Sequence, residues 1–144
     1  MNIELLSSFV DYGVLGVLGL MGFLVIFFWV ERLLFYRSVD LNKYETLEEL
    51  ELDLSSNTSI ISSFGANAPY IGLLGTIVGI IVTFYTLGLS GDVDAKKIMT
   101  SLALALKATA FALAVAIPAI FAYNHLNRKI EVMLTKWQIL QKKK

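Results

Sequence analysis

The 144-residue chain has no cysteine, a single histidine (His125) and only two prolines, Pro69 and Pro118. Without cysteine there is no disulfide framework and no thiolate metal site, and the redox compartment stays open. Twelve acidic residues balance twelve basic ones, so no basic field spreads over the molecule and no nucleic-acid partner is expected. Charge is missing altogether from residues 12–30 and 69–89, and residues 98–123 carry only Lys107; none of the three runs contains Asp, Glu or His. A lone imidazole and no intramembrane acid argue against an enzyme. What these runs do have is apolar length, and about 20 residues at roughly 1.5 Å each cross a bilayer. The chain reads as an all-α integral membrane protein with three transmembrane helices.

The N-terminal segment carries Glu4 and Asp11 and no Lys or Arg, and the apolar run after it exceeds a signal-peptide h-region. The first run is therefore an uncleaved span. Lys and Arg are retained on the cytoplasmic side. None precedes the first span, three lie between the first and second, two between the second and third, and six follow the third. The N-terminus is expected outside (periplasmic), with a cytoplasmic segment over about 31–63 and a cytoplasmic tail over 124–144, all in one domain.

Outside the membrane, Ile3, Leu6, Phe9 and Val10 share one helical side, as in a short interfacial helix. Leu41, Tyr44, Leu47, Leu50 and Leu54 recur at spacings of three and four, which predicts a cytoplasmic helix packed on another and ended by "SSNTS" at 55–59. The acids Glu45, Glu48, Glu49, Glu51 and Asp53 form a solvated face rather than a divalent-metal site; neither a metal nor another cofactor is expected. In "SGDVDAKK" either Asp92 or Asp94 can cap the third helix. Leu126, Ile130, Met133 or Leu134, Trp137 and Leu140 continue one stripe past the third span, which needs a partner helix, most simply from a neighbouring subunit. His125 reads as a polar interfacial residue.

The second span has more glycine and threonine than a lipid-facing helix needs. At about 100° per residue, Gly72, Gly75, Thr76, Gly79, Thr83 and Thr86 fall within an arc of roughly 100°. Ser101, Ala105, Ala108, Thr109, Ala112, Ala116 and Ala119 do the same on the third. Such faces let helices approach closely in lipid; they equally suit the lining of a narrow lumen, and spacing does not separate the two. Pro69 at the start of the second helix and Pro118 in the third add bends.

"APYIGLLGTIVGII", followed after a short loop by "ALKATAFALAVAIPAIFAYNHL", resembles the ExbB/TolQ/MotA proton-channel family, and within it the ExbB branch, the biopolymer transport proteins of the TonB system. The likeness covers residues 66–127, and "ERLLFYR" after the first span is a weaker echo. Resemblance to that family implies a homopentamer in membrane lipid, with the second and third helices around a pore that holds ExbD-like single-span proteins. Proton flow would then energise a TonB-like protein for outer-membrane import. By position, the family's two pore threonines match Thr76 and Thr109. Pro69, Gly72, Gly75, Gly79, Thr83, Ala105, Ala112, Ala116 and Pro118 would form the packing and pore face.

Two features depart from the family pattern. Relatives usually carry Glu five residues before the third-helix threonine, where this chain has Leu104, and the loop between the first two spans is short. Lys107 is instead the intramembrane charge, about 160° around the helix from Thr109, with Asp11, Asp92, Asp94 or a polar partner group available to meet it. A TolQ-like envelope-integrity motor and a passive scaffold of packed helices are the competing expectations; a flagellar stator subunit would need four spans.

Overall fold

The computed structural model describes residues 3–91 and 94–144. Its elements are α1 (Ile3–Ser38), a 3₁₀ turn (Leu41–Lys43), α2 (Leu47–Leu54), α3 (Thr58–Ser90) and α4 (Ala95–Lys142). Helices α1, α3 and α4 are each long and apolar enough to cross a membrane. At 48 residues, α4 is about 70 Å long against a hydrocarbon layer of about 30 Å. A large part of it must therefore project beyond the lipid.

The helix expected over residues 1–11 is not a separate element. α1 is unbroken from Ile3, because nothing there stops a helix and Val14 and Leu18 are already buried. Nor does Pro69 open the second long helix: α3 starts at Thr58 and holds Pro69 in its interior. The proline forfeits one hydrogen bond, to the Gly65 carbonyl. Burial of Ile61, Gly65 and Ala68 along one stripe carries the helix through. "SSNTS" does end α2, but as a tight corner: Asn57 takes φ 66°, which asparagine tolerates, and Thr58 Oγ1 donates to the Ser55 carbonyl at 2.7 Å. At the other end α3 stops at Gly91, which has φ 66° and returns its N–H to the Leu87 carbonyl at 3.0 Å. Asp94 caps α4 by accepting the Lys96 N–H at 3.1 Å; the alternative cap, Asp92, lies outside the described residues.

Two clusters hold the helices together. Near the start of α1, Val14, Leu18 and Met21 pack on Ala68 of α3 and on Ala108, Ala112 and Ala116 of α4. At the opposite end, Tyr36, Leu50, Leu54 and Ile61 surround Ala122, Leu126, Ile130 and Trp137. The stripe on the last part of α4 thus finds its cover within the same chain, from α1, α2 and the 3₁₀ turn, and not from a second subunit as periodicity alone led one to expect. Periodicity reports that a face is buried, never by what.

Polar contacts fix α2 in this cluster. Thr46 caps its start by accepting the Glu49 N–H at 3.1 Å. A helix end leaves carbonyls without partners; here Arg32 Nη1 donates to the Asp53 carbonyl at 2.7 Å and Tyr36 Oη to the Leu54 carbonyl at 2.5 Å. Tyr44 Oη donates to the Asp53 carboxylate at 2.7 Å. Burial, with that acceptor, pushes the Tyr44 phenol up to about 12, so it keeps its proton throughout the neutral range.

The small faces of α3 and α4 meet each other. A Cβ at Gly72 would overlap that of Ala112 and stand 2.8 Å from the Ala108 carbonyl. At Gly79 it would be 2.8 Å from Ala105 Cβ, and at Gly65 3.3 Å from Ala119 Cβ. The pairs climb α3 as they descend α4, the register of antiparallel neighbours. Gly72→Ala must push the helices apart and is expected to destabilise by about 1–3 kcal/mol. Gly88, with nothing within 4 Å of an added Cβ, is the control. Thermal unfolding in mild detergent should separate the two variants, with Gly88→Ala at or above the parent.

Candidate functional site

At the middle of the α3–α4 seam the hydroxyls of Thr76 and Thr109 are hydrogen-bonded to each other. Thr76 Oγ1 also reaches the Gly72 carbonyl of its own helix at 3.2 Å and the Ala105 carbonyl of α4 at 3.1 Å, while Thr109 Oγ1 reaches Gly72 O at 3.4 Å. Glycine and alanine make this possible: bulkier residues at 72 and 105 would separate the helices beyond hydroxyl reach. Thr76 is buried and Thr109 half-buried. Two hydroxyls with carbonyls around them can hold a water or a protonated acid by hydrogen bonds, but neither can change charge near neutral pH.

Which side they serve follows from the helical positions. On α1's side of the seam lie Ala68, Ile71, Ala108 and Val115. At about 100° per residue Thr76 is turned roughly 100° from Gly75, whose added Cβ would meet Val14, and Thr109 is turned the same angle from Ala108. Both threonines therefore sit toward the flank of the seam that α1 leaves uncovered.

The other sequence-predicted residues divide clearly. Gly72, Gly75, Gly79, Ala105, Ala112 and Ala116 are the contact surface between α3 and its neighbours. Thr83 is buried one turn outward, its Oγ1 on the Gly79 carbonyl at 2.8 Å. Pro69 and Pro118 are helix-interior residues, Pro118 at an exposed position of α4. Lys107 and Leu104 belong to the opposite flank, lining a cavity of about 220 Å³ with Ser8, Asp11 and Tyr12 of α1. Asp11 also lines a second cavity of about 230 Å³ with Thr83, Thr86, Lys97 and Ser101.

Of the acids that could meet Lys107, Asp11 is the one that lines a cavity with it. Leu104 and Lys107 lie nine to twelve residues into α4, about 14–18 Å along it, and Asp11 is level with them. Intramembrane charges need a partner, and these two share a cavity. Lys107→Leu is expected to assemble normally. Lys107→Glu sets two acids together and should lower the unfolding midpoint in detergent, with roughly 2 kcal/mol or more lost. Adding Asp11→Lys should recover most of it; no recovery would place the partner elsewhere.

Sequence reasoning missed the clamp of Arg32 and Tyr36 on the end of α2. A signal was present, since the two are four residues apart and share a helix face.

Three helices long and apolar enough to cross a membrane, joined along a small-residue seam that carries a hydroxyl pair, define the class as a multi-helix membrane protein. The chain belongs to the MotA/TolQ/ExbB proton channel family, which it matches over residues 38–139. It is 49% identical over 140 residues to the biopolymer transport protein ExbB of Helicobacter pylori strain J99, covering 97% of each chain. Against the protein of that name from Aquifex aeolicus it is 43% identical over 137 residues, 95% of this chain and 93% of that one. The Neisseria gonorrhoeae ExbB is 44% identical over 73 residues, which span 51% of this chain and 33% of the other. The apolar helices and these relatives make it a multi-pass inner-membrane protein.

Proposed function

We propose that the chain is the channel subunit of an inner-membrane motor that lets protons through and uses their flow to energise a TonB-like protein for outer-membrane import. The observation that carries this reading is the Thr76–Thr109 hydroxyl pair on the uncovered flank of the seam. Five copies would surround a lumen with that flank inward. A single-span ExbD-like partner would occupy the lumen and bring a carboxyl group between the two threonines. The small residues around the pair keep the wall smooth, so that a guest helix can turn against it.

The N-terminus and the loop between α3 and α4 face the periplasm, and α2 and the tail face the cytoplasm, in keeping with the six Lys and Arg after the third span. Single cysteines at Ser8, Ser55, Ser90 and Gln141, probed with an impermeant thiol reagent on intact spheroplasts, test this orientation. Labelling at Ser8 and Ser90 only is expected; labelling of the Ser55 site from outside reverses it. Restoration of energised uptake in a strain lacking ExbB tests the role itself. Rescue of envelope integrity in a strain lacking TolQ, without rescue of uptake, would assign the chain to that motor instead.

A further inference from the structure

A groove of about 730 Å³ lies between the end of α1, the 3₁₀ turn and α4. Its lining combines Arg37, Arg128, Lys129 and Lys136 with apolar side chains such as Leu33 and Met133. Four cationic side chains, Arg37, Arg128, Lys129 and Lys136, repel each other around one cleft unless an anion enters. The protein supplies little compensation. Arg128 pairs with Glu131 at 3.5 Å, with both side chains mostly open to water. Among the described residues Arg37, Lys129 and Lys136 have no ion pair.

Depth identifies the anion. Trp29 Nε1 donates to His125 Nδ1 at 3.3 Å where α1 and α4 leave their apolar runs, and tryptophan marks the membrane–water boundary. Arg128 and Lys129 follow His125 by about 5–6 Å, and Arg37 follows Trp29 by about 12 Å, within or just past the headgroup layer. A soluble phosphate has no use for an apolar lining, whereas an amphiphile presents a phosphate and hydrocarbon together. Basic residues at a membrane exit also fix topology, but scattered charges do that as well. Convergence on a cleft is not required for it.

We propose that this groove binds the phosphodiester headgroup of an anionic phospholipid, with Arg37, Arg128 and Lys129 supplying the charge and the apolar lining residues receiving the adjoining glycerol and first methylenes. The site stands independently of the motor reading and of which leaflet it faces.

Native mass spectrometry of the detergent-purified full-length protein, titrated with phosphatidylglycerol or with phosphatidylcholine of the same chains, tests it. Phosphatidylglycerol should be retained preferentially. Arg37→Gln with Lys129→Gln should weaken retention by roughly ten-fold or more, at about five-fold per charge. Arg37→Lys should keep it. Lys142→Gln, Lys143→Gln and Lys144→Gln together remove more charge outside the groove and should change retention by less than about two-fold. Equal retention of the two lipids, or equal loss in the groove and tail variants, would overturn the site. Displacement of the lipid by millimolar inorganic phosphate would also overturn it, in favour of a soluble ligand.

Discussion

Thr76→Val and Thr109→Val are each expected to reduce energised uptake at least ten-fold while leaving fold, level and assembly unchanged. Valine keeps the shape of threonine and deletes only the hydroxyl. With Thr109 changed, Thr76 Oγ1 still has the Gly72 and Ala105 carbonyls as acceptors at 3.2 and 3.1 Å. With Thr76 changed, Thr109 still has Gly72 O at 3.4 Å. No buried donor is stranded, and a single side-chain hydrogen bond between membrane helices is worth only about 0.6 kcal/mol on average. On the proposed reading the functional loss is larger, because the hydroxyl's partner would be a proton-carrying group: a hydrogen bond to such a group contributes roughly 1.5–3 kcal/mol, a ten- to hundred-fold effect. Thr76→Ser and Thr109→Ser keep the hydroxyl and should retain most uptake. Undiminished uptake in both valine variants, at parental protein levels, would remove the pair from the mechanism.

Arg32→Met is expected to be the most destabilising single change outside the α3–α4 seam. Arg32 is only 4% exposed. Its guanidinium caps the Asp53 carbonyl at 2.7 Å, grips both Glu31 carboxylate oxygens at 2.6 Å and lies 4.4 Å over the Phe35 ring. The Glu31 side chain is 36% exposed, so losing that ion pair alone costs little. The main loss is the charge-assisted hydrogen bond to the Asp53 carbonyl at the end of α2, which then keeps only the weaker Ser56 N–H at 3.4 Å, together with the packing on Phe35. About 2–3 kcal/mol is expected, a fall in Tm of roughly 5–10 °C. Arg32→Lys keeps the charge but not the fork and should lie between. Because α2 roofs the end of α4, the Arg32→Met protein should also become protease-sensitive between residues 40 and 57 before the spans unfold.

The sequence exposes most of the membrane architecture and little of what lies beside it. Apolar runs without charge identify the three spans, since nothing else buries such lengths. The two small-residue arcs identify the faces that matter, and the structure turns them toward each other. Element ends were harder to read. Pro69 resembles a helix start because proline is usual there, yet Ile61, Gly65 and Ala68 continue the buried stripe upstream. Which acid stands near Lys107 stays open in the sequence among Asp11, Asp92 and Asp94, because only tertiary packing brings Asp11 into its cavity. The stripe from Leu126 to Trp137 was visible as a stripe, whereas its cover by Tyr36, Leu50 and Leu54 depends on how α2 folds back. The Arg32 clamp could be placed on a helix face but not matched to its carbonyl, because backbone acceptors leave no trace in side-chain patterns.

The central claim is a division of labour: this chain supplies hydroxyls at Thr76 and Thr109, and the group that binds and releases the proton arrives on a partner helix. Asp11 lines one cavity with Lys107 and another with Thr83 and Ser101, so Asp11→Asn is the variant that tests this chain's own acid. Proton flux into liposomes with an internal pH dye, measured for the purified protein alone and with its single-span partner, tests the claim directly. The lone protein should leak no faster than protein-free liposomes, and the complex should pass protons in a manner abolished by Thr109→Val. A substantial leak through the lone protein, removed by Asp11→Asn or by Thr109→Val, would contradict the claim and assign proton carriage to this chain.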